Sequence, residues 1–349
     1  MAIELYAGKQ AREEIQQQGL LPERIKLMVG ASGGPKWLML SRLDQYISEH
    51  LLSKSQHLSL IGSSVGAWRM ACYAKQDPHA TFKEFERLYL EQTYSNPITP
   101  QAITVFVEQV LNALFDGSAA QEVANNPARK LHVVAVRNRR LLSSSHSVVQ
   151  ALSLFTAAAG NILSPKIVEA LYPRVLISQD SSHEPYGFKP ETIALTGQNL
   201  TQALTASGAI PVVLEPTKIH GGKDRLHWDG GMVDYHFSGP FNVDDGLVFY
   251  PHFFPKITPG WFDKGLPWRK VKAKDYSNVV MLTPSKEFIA KLPFGKIPDR
   301  KDFENLSNED RLSYWQTVLA ATDQLVDEFH EMMQKDGGAS AVKPIEMIL

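Results

Sequence analysis

The segment at residues 58–75 constrains the fold of this chain more than any other part of it. An apolar run at 58–61 is followed by Gly62-Ser63-Ser64-Val65-Gly66, which has the form G-x-S-x-G, and then by a run that is compatible with a helix. A strand that turns sharply into a helix at this motif holds one serine hydroxyl clear of the backbone. The flanking glycines leave room for adjacent elements and permit unusual dihedral angles. Ser64 is therefore the candidate nucleophile, and the N-terminus of the following helix favours negative charge there.

Strands alternate with helices along most of the chain. A strand is predicted at 24–30, before a glycine-rich turn and a helix at 35–50. Further strands are predicted at 131–136, 192–195, 246–250 and 278–283, and further helices at 81–94, 99–115, 200–207 and 307–334. Capping residues that begin helices are predicted at Thr81, Thr99, Ser164 and Ser307.

This alternation predicts an α/β fold. A mostly parallel central sheet would be covered by helices on both faces, which gives three layers in the order α/β/α. No internal repeat or low-complexity linker interrupts the pattern, so we expect a single domain over 1–335. The segment 336–349 contains two glycines and a proline and is predicted to be a C-terminal tail.

Composition excludes several classes of protein. A net charge of −1 gives no electrostatic basis for binding nucleic acid. No apolar run approaches the roughly 18 residues that cross a bilayer, and residues 1–18 lack the apolar core of a secretory signal. The single cysteine, Cys72, cannot form an internal disulfide. These features predict a cytoplasmic location.

A second segment suited to catalysis is the glycine-rich turn Gly30-Ala31-Ser32-Gly33-Gly34-Pro35-Lys36. Such a turn can aim successive backbone N–H groups at one point. It does not match a phosphate-binding loop, because Lys36 follows a proline and precedes Trp37. With a nucleophilic serine elsewhere, an oxyanion hole at Gly33 and Gly34 is the favoured interpretation.

A third segment is Asp229-Gly230-Gly231, which alone would indicate no more than a turn. Together with the G-x-S-x-G motif, it could place a carboxylate beside the serine. The segment Ala206-Ser207-Gly208-Ala209-Ile210-Pro211 precedes it.

In this order, the segments resemble the motifs of the patatin-like phospholipases. That family has a glycine-rich oxyanion loop that ends in a basic residue, then G-x-S-x-G, then A-S-x-A-x-P, then D-G-[GA]. The resemblance covers roughly residues 24–235 and departs from the family at Ser32 and Trp37, where the family often has glycine.

The resemblance implies a patatin-like fold and a lipid acyl hydrolase that needs no cofactor or metal. Asp229 would accept the proton of Ser64, and an acyl-enzyme would form and then be hydrolysed. The oxyanion would be bound by backbone N–H groups of Gly33, Gly34 and Val65. Supporting roles are implied for the remaining motif positions: Lys36, Gly62, Gly66, Gly230 and Gly231. A glycerophospholipid or lysophospholipid is the first candidate substrate.

Two other functions stay open from the sequence. One is an α/β-hydrolase with a Ser-His-Asp triad, for which the late candidates are His236, His252 and His330. His220 and His227, which flank the Asp229 motif, could instead orient a substrate.

The other is a catalytically silent lipid-binding protein of the same fold. The aromatic stretch 252–268 would support either this function or peripheral contact of an enzyme with a membrane surface.

Overall fold

A computed structural model describes residues 1–52, 57–94, 97–138, 147–180, 184–187 and 190–349. Within these ranges the strands are β1 (Ile3–Ala7), β2 (Ile25–Gly30), β3 (Leu58–Ser63), β4 (Arg129–Arg137), β5 (Arg174–Ser178), β6 (Glu191–Ala194), β7 (His227–Asp229), β8 (Leu247–Pro251), β9 (Val279–Pro284) and β10 (Lys343–Pro344). They form one sheet in the order β10-β1-β9-β8-β2-β3-β4-β5-β6, and β7 pairs with β4.

The centre of this sheet is parallel. Strands β9, β8, β2, β3 and β4 all run in one direction, and antiparallel pairs occur at β1 with β9, β4 with β5 and β4 with β7. All residues of β8 and β9 are buried, as expected for parallel strands that are covered on both faces. The predicted α/β fold with a mostly parallel central sheet is confirmed.

Helices flank the sheet. In chain order they are α1 (Lys9–Gln18), α2 (Ser41–Tyr46), α3 (Val65–Tyr73), α4 (Pro78–Leu90), α5 (Pro100–Phe115), α6 (Ser118–Ala124), α7 (Ser147–Leu163), α8 (Pro165–Leu171), α9 (Leu200–Gly208), α10 (Lys286–Lys291), α11 (Asp302–Asn305) and α12 (Asn308–Asp336). None of those that fall within the described ranges has the length and apolar character needed to cross a membrane.

Three of the predicted caps are confirmed and one is wrong. The side chains of Thr99, Ser164 and Ser307 each accept a hydrogen bond from the first turn of their helix. Helix α4 instead begins after Asp77, whose carboxylate accepts from the backbone N–H of Ala80 at 2.9 Å. Asp77 is followed by a proline at the first helical position, which favours an earlier start, and Thr81 lies inside the helix.

The C-terminal segment lies against the sheet. Helix α12 ends at Asp336, and β10 then adds a parallel edge strand to β1, with Tyr6 opposite Lys343. Ile345 is fully buried and Ile348 is nearly so. The segment 336–349, predicted to be a tail from its two glycines and its proline, therefore contributes an edge strand and apolar contacts.

Candidate active site

The G-x-S-x-G segment forms a tight turn between β3 and α3. Ser64 has a φ of 54° and a ψ of −136°, which is rare for a residue with a side chain. A Cβ atom on Gly62 would lie 2.5 Å from the backbone nitrogen of Ala67, and one on Gly66 would lie 2.1 Å from the carbonyl oxygen of Gly30. Both positions exclude any side chain, so the glycines allow α3 to approach β2 and β3 closely.

The Ser64 hydroxyl contacts the Asp229 carboxylate directly. Ser64 Oγ donates to Asp229 Oδ2 at 2.8 Å, and both residues are buried. The sheet register explains this contact. Strand β3 pairs with β4 up to Ser63, opposite Val134, and β7 pairs with the next residue of β4, so that Asp229 is opposite Ala135.

The segment 206–211 holds both residues in place. The Ser64 backbone N–H donates to Ser207 Oγ at 2.9 Å, and Ser207 Oγ donates to the carbonyl of Val134 at 2.6 Å. The carbonyl of Ala209 accepts from the Asp229 backbone N–H at 2.9 Å. The sequence motif identified this segment, but pattern alone did not reveal that Ser207 connects the turn to β4.

The neighbouring serine points away from the carboxylate. Ser63 Oγ donates to the carbonyl of Asp234 at 2.6 Å and lies 2.6 Å from Ser32 Oγ. Ser32, which replaces a glycine of the family pattern, therefore connects the glycine-rich turn to β3 through its hydroxyl.

Burial raises the pKa of Asp229 to about 6. The nearby positive charge of Arg300 opposes this increase most strongly, followed by the hydrogen bonds from Ser64 and from the Gly231 backbone N–H, the latter at 2.6 Å. A carboxylate with this pKa is ionised at neutral pH and is a better base than an ordinary aspartate.

The glycine-rich turn borders the cavities that open at Ser64. Gly33 has extended backbone, with a φ of −179°, whereas Gly34 has a φ of 55°. Gly33 lines one cavity together with Ser64, and Gly34 and Val65 line the other. Among the described residues, no acceptor takes the N–H group of Gly33, Gly34 or Val65. These three groups are thus free to bind an anion.

The other two motif glycines pack tightly around Asp229. A Cβ atom on Gly230 would lie 2.2 Å from the carbonyl oxygen of Val134. On Gly231 it would lie 2.5 Å from Ser32 Oγ, which shows how closely the Asp229 turn approaches the glycine-rich turn.

None of the histidines in the described ranges hydrogen-bonds to Ser64 or Asp229. Nδ1 of His236 accepts from the Thr258 backbone N–H at 3.0 Å, and Nδ1 of His252 lies 2.6 Å from the carbonyl oxygen of Phe254. Burial lowers the pKa of His252 to about 3, so its ring is neutral. His330 lies 2.9 Å from the Tyr46 hydroxyl on α2, and His227 lies against the Thr217 carbonyl.

Two cavities meet at Ser64. One has a volume of about 550 Å³ and is lined mainly by apolar side chains from α3, α4, α5 and the segment 210–214. The other has a volume of about 240 Å³ and is lined by Ser64, Asp229 and several basic residues: Lys36, Lys264, Arg300 and Lys301. Ser64, Ile210 and Arg300 border both cavities.

Lys264 and Arg300 line the site but are not marked by any sequence motif. They lie beyond the motif-bearing part of the chain, and no spacing sets them apart from surface lysines and arginines. Only the folded chain brings them beside Ser64. A Cβ atom on Gly34 would lie 3.1 Å from Nε of Arg300, so the guanidinium lies against the glycine-rich turn.

The aromatic stretch 252–268 is divided between core and surface. Phe253 is buried, and its ring lies 2.7 Å from where a Cβ atom on Gly33 would be. Trp261 lines the smaller cavity, and Trp268 is 64% exposed. One part of the stretch therefore supports the glycine-rich turn, while the other faces solvent.

Comparison with known proteins gives one family. The sequence model described as "Patatin-like phospholipase" matches residues 56–236, which is just over half of the chain. Among solved structures, the crystal structure of VipD from Legionella pneumophila is similar, with a TM-score of 0.39 and 13% sequence identity over 97% of this chain and 77% of that one. A search of curated proteins gives no match.

Proposed function

This chain belongs to the patatin-like phospholipase family, and we propose that it is a serine acyl hydrolase that cleaves lipid esters with Ser64 and Asp229 as its dyad. The observation that carries the proposal is the 2.8 Å hydrogen bond from Ser64 Oγ to Asp229 Oδ2, at a strained turn next to two cavities. A serine hydroxyl becomes a useful nucleophile when an adjacent base takes its proton.

The reaction begins as Asp229 accepts the Ser64 proton and Ser64 Oγ attacks the ester carbonyl carbon. The N–H groups of Gly33, Gly34 and Val65 bind the resulting oxyanion, and each donor contributes on the order of 10²–10³ in rate. Collapse of the tetrahedral intermediate breaks the bond to the alcohol, which leaves with the proton held by Asp229. Water, deprotonated by the same carboxylate, then attacks the acyl-enzyme and releases the fatty acid.

The larger cavity supports a lipid substrate. Its volume of about 550 Å³ is within the range of pockets that enclose small organic ligands, and rings and aliphatic side chains form most of its lining. We assign the acyl chain to this cavity. A glycerophospholipid or lysophospholipid remains the first candidate, and a lipid-binding protein without turnover is the alternative.

Helix α7 supports peripheral contact with a lipid surface. It contains no charged residue, and Val148, Leu152 and Phe155 on its outer face are 78%, 61% and 73% exposed. Leu154, on the same helix, lines the smaller cavity at the dyad. An apolar helix beside the entrance would let a lipid pass from the surface to Ser64 with little exposure to water. We propose a cytoplasmic enzyme that binds membranes from this side.

A fluorophosphonate probe tests the nucleophile. Ser64→Ala should abolish both covalent labelling and fatty acid release from phospholipid vesicles. Ser63→Ala is the matched control and should keep labelling, because Ser63 faces Ser32 and Asp234. Labelling that survives in Ser64→Ala would refute the assignment. If the wild-type protein hydrolyses short soluble esters but no lipid, the assignment of the dyad would stand and the lipid substrate would be refuted.

A further inference from the structure

The smaller cavity has an excess of positive charge. Among the described residues that line it, Lys36, Lys264, Arg300 and Lys301 are basic, and Asp229 and Asp299 are acidic. Asp229 accepts from Ser64 and Gly231, and Asp299 forms an ion pair with Lys296 at 3.0 Å. Both carboxylates thus have other partners, which leaves the basic side chains incompletely neutralised.

None of these basic side chains forms an ion pair with a residue in the described ranges. Within the described part of the chain, no carboxylate comes within 4.0 Å of the charged groups of Lys36, Lys264 or Arg300. The Lys36 ammonium lies 3.4 Å from the Tyr235 hydroxyl, and that of Lys264 lies 3.9 Å from the centroid of the Tyr235 ring. Tyr235 thus holds both lysines at the same wall of the cavity.

The positive groups of this cavity lie close enough to affect one another's pKa. Desolvation lowers the pKa of Lys36, and desolvation together with the nearby charges of Lys36 and Arg300 lowers the pKa of Lys264 to about 7. The charges of Asp299 and Asp229 oppose these shifts without reversing them. Lys264 and Arg300 are exposed, so the cavity presents a positive potential to an anion that arrives from solvent.

The position of these groups determines which part of a substrate they meet. Arg300 borders both cavities at Ser64, whereas Lys36 and Lys264 line only the smaller one. With the acyl chain in the apolar cavity and the ester carbonyl at Ser64, the alcohol part of the ester must extend into the basic cavity. An anionic group a few bonds from the scissile ester would then meet the lysines.

We propose that Lys264 and Arg300 form, with Lys36, a subsite for a phosphate carried on the alcohol part of the ester, so that the enzyme prefers phosphate-bearing acyl glycerols to neutral ones. This inference rests on the proposed hydrolase function. Arg300 presents a planar fork that suits phosphate oxygens, and Lys264 supplies a second positive charge in the same cavity.

Two short-chain substrates with the same acyl group test the subsite: an acyl glycerol 3-phosphate and the corresponding acyl glycerol, both kept monomeric. Wild type should have the higher kcat/KM on the phosphate ester. Lys264→Met and Arg300→Met should each reduce the ratio of the two kcat/KM values by about tenfold, mainly through KM, because each removes a charged hydrogen bond. Lys270→Met, in the same segment but away from the cavity, is the matched control and should keep the ratio.

A second measurement does not depend on turnover. Glycerol 3-phosphate should slow fluorophosphonate labelling of wild type, whereas glycerol should not, and Lys264→Met should abolish this protection. Unchanged ratios and unchanged protection in both variants would overturn the subsite while leaving the hydrolase intact. Absence of hydrolysis of either ester, with Ser64 unlabelled, would overturn the proposed function and the subsite together.

Discussion

At the scale of single residues, Ser64 is held in its strained conformation by groups other than its own side chain. A non-glycine residue with φ of 54° costs on the order of 1–3 kcal/mol, which the surrounding contacts must offset. The Ser64 backbone N–H donates to Ser207 Oγ, and α3 begins at the next residue. The side chain is thereby left free to contact Asp229, which makes Ser207 a positioning residue for the nucleophile.

Ser207→Ala tests this role. It leaves the Ser64 backbone N–H and the Val134 carbonyl without their partner, and we expect a loss of about 1–3 kcal/mol in the free energy of unfolding. The rate constant for fluorophosphonate labelling of Ser64 should fall about tenfold, and kcat should fall with KM nearly unchanged. Thermal unfolding and labelling kinetics measure the two effects. A destabilised variant with a wild-type labelling rate would show that Ser207 supports only the fold.

The raised pKa of Asp229 predicts opposite pH effects on activity and stability. As the base, Asp229 must be ionised, so kcat/KM on a monomeric ester should rise with pH up to about 6 and then level off. Because its pKa is higher in the folded than in the unfolded chain, ionisation between about pH 4 and pH 6 lowers the free energy of unfolding.

Asp229→Asn separates these effects. The variant should lose activity by ~10²-fold or more, while its melting temperature relative to wild type increases from pH 4 to pH 7. A pH–rate profile of wild type without an inflection near 6, or a variant that loses relative stability as the pH rises, would contradict the assignment of Asp229 as a buried, ionised base.

At the scale of elements, the strands and helices that were predicted correctly are those with distinctive local sequence patterns. The strands β2, β3, β8 and β9 fall close to their predicted positions, because long buried runs bounded by turn residues are distinctive. The contact between Ser64 and Asp229 was predicted from paired motifs, although 165 residues separate them. The position of Lys264 and Arg300 at the site was not predicted, because it depends on tertiary packing and no local pattern encodes it.

Several elements escaped prediction for identifiable reasons. Strand β1 has only five residues and lies next to the edge of the sheet, and β10 has only two residues. Helix α7 is apolar on its exposed side, so it lacks the alternation of polar and apolar faces by which helices are recognised. The single helix predicted at 35–50 is instead three consecutive segments: a 3₁₀-helix at 34–40, then α2, then a π-helix at 47–51.

The close approach of α3 to β2 gives a prediction at this scale. Gly66→Ala would place a Cβ atom 2.1 Å from the Gly30 carbonyl oxygen, so α3 must move away from the sheet. We expect a loss of about 1–3 kcal/mol in the free energy of unfolding and slower labelling of Ser64. Gly265→Ala is the matched control, since no atom lies within 4 Å of its Cβ position, and its effect should stay within about 0.5 kcal/mol. Equal stability of the two variants would contradict this account of the motif.

At the scale of the whole molecule, the proposed chemistry gathers at one edge of the sheet. The glycine-rich turn follows β2, the Ser64 turn follows β3, and the aromatic stretch follows β8, so all lie beyond the carboxyl ends of parallel strands. Ligands commonly bind at this edge in open α/β sheets. Helix α7 belongs to the same region, because its Leu154 lines the cavity at Ser64.

This arrangement predicts that α7 orients the enzyme on lipid surfaces. Replacing Leu152 and Phe155 together with serine should weaken binding to phospholipid vesicles by tenfold or more, because each buries an apolar side chain worth about 1.5–3 kcal/mol. Fatty acid release from vesicles should fall in parallel, whereas kcat/KM on a monomeric ester should change by less than about twofold. Val105→Ser, on an exposed apolar residue of α5, is the matched control. Unchanged vesicle binding, with a change from dimer to monomer in the double variant, would show instead that this face joins two copies of the chain.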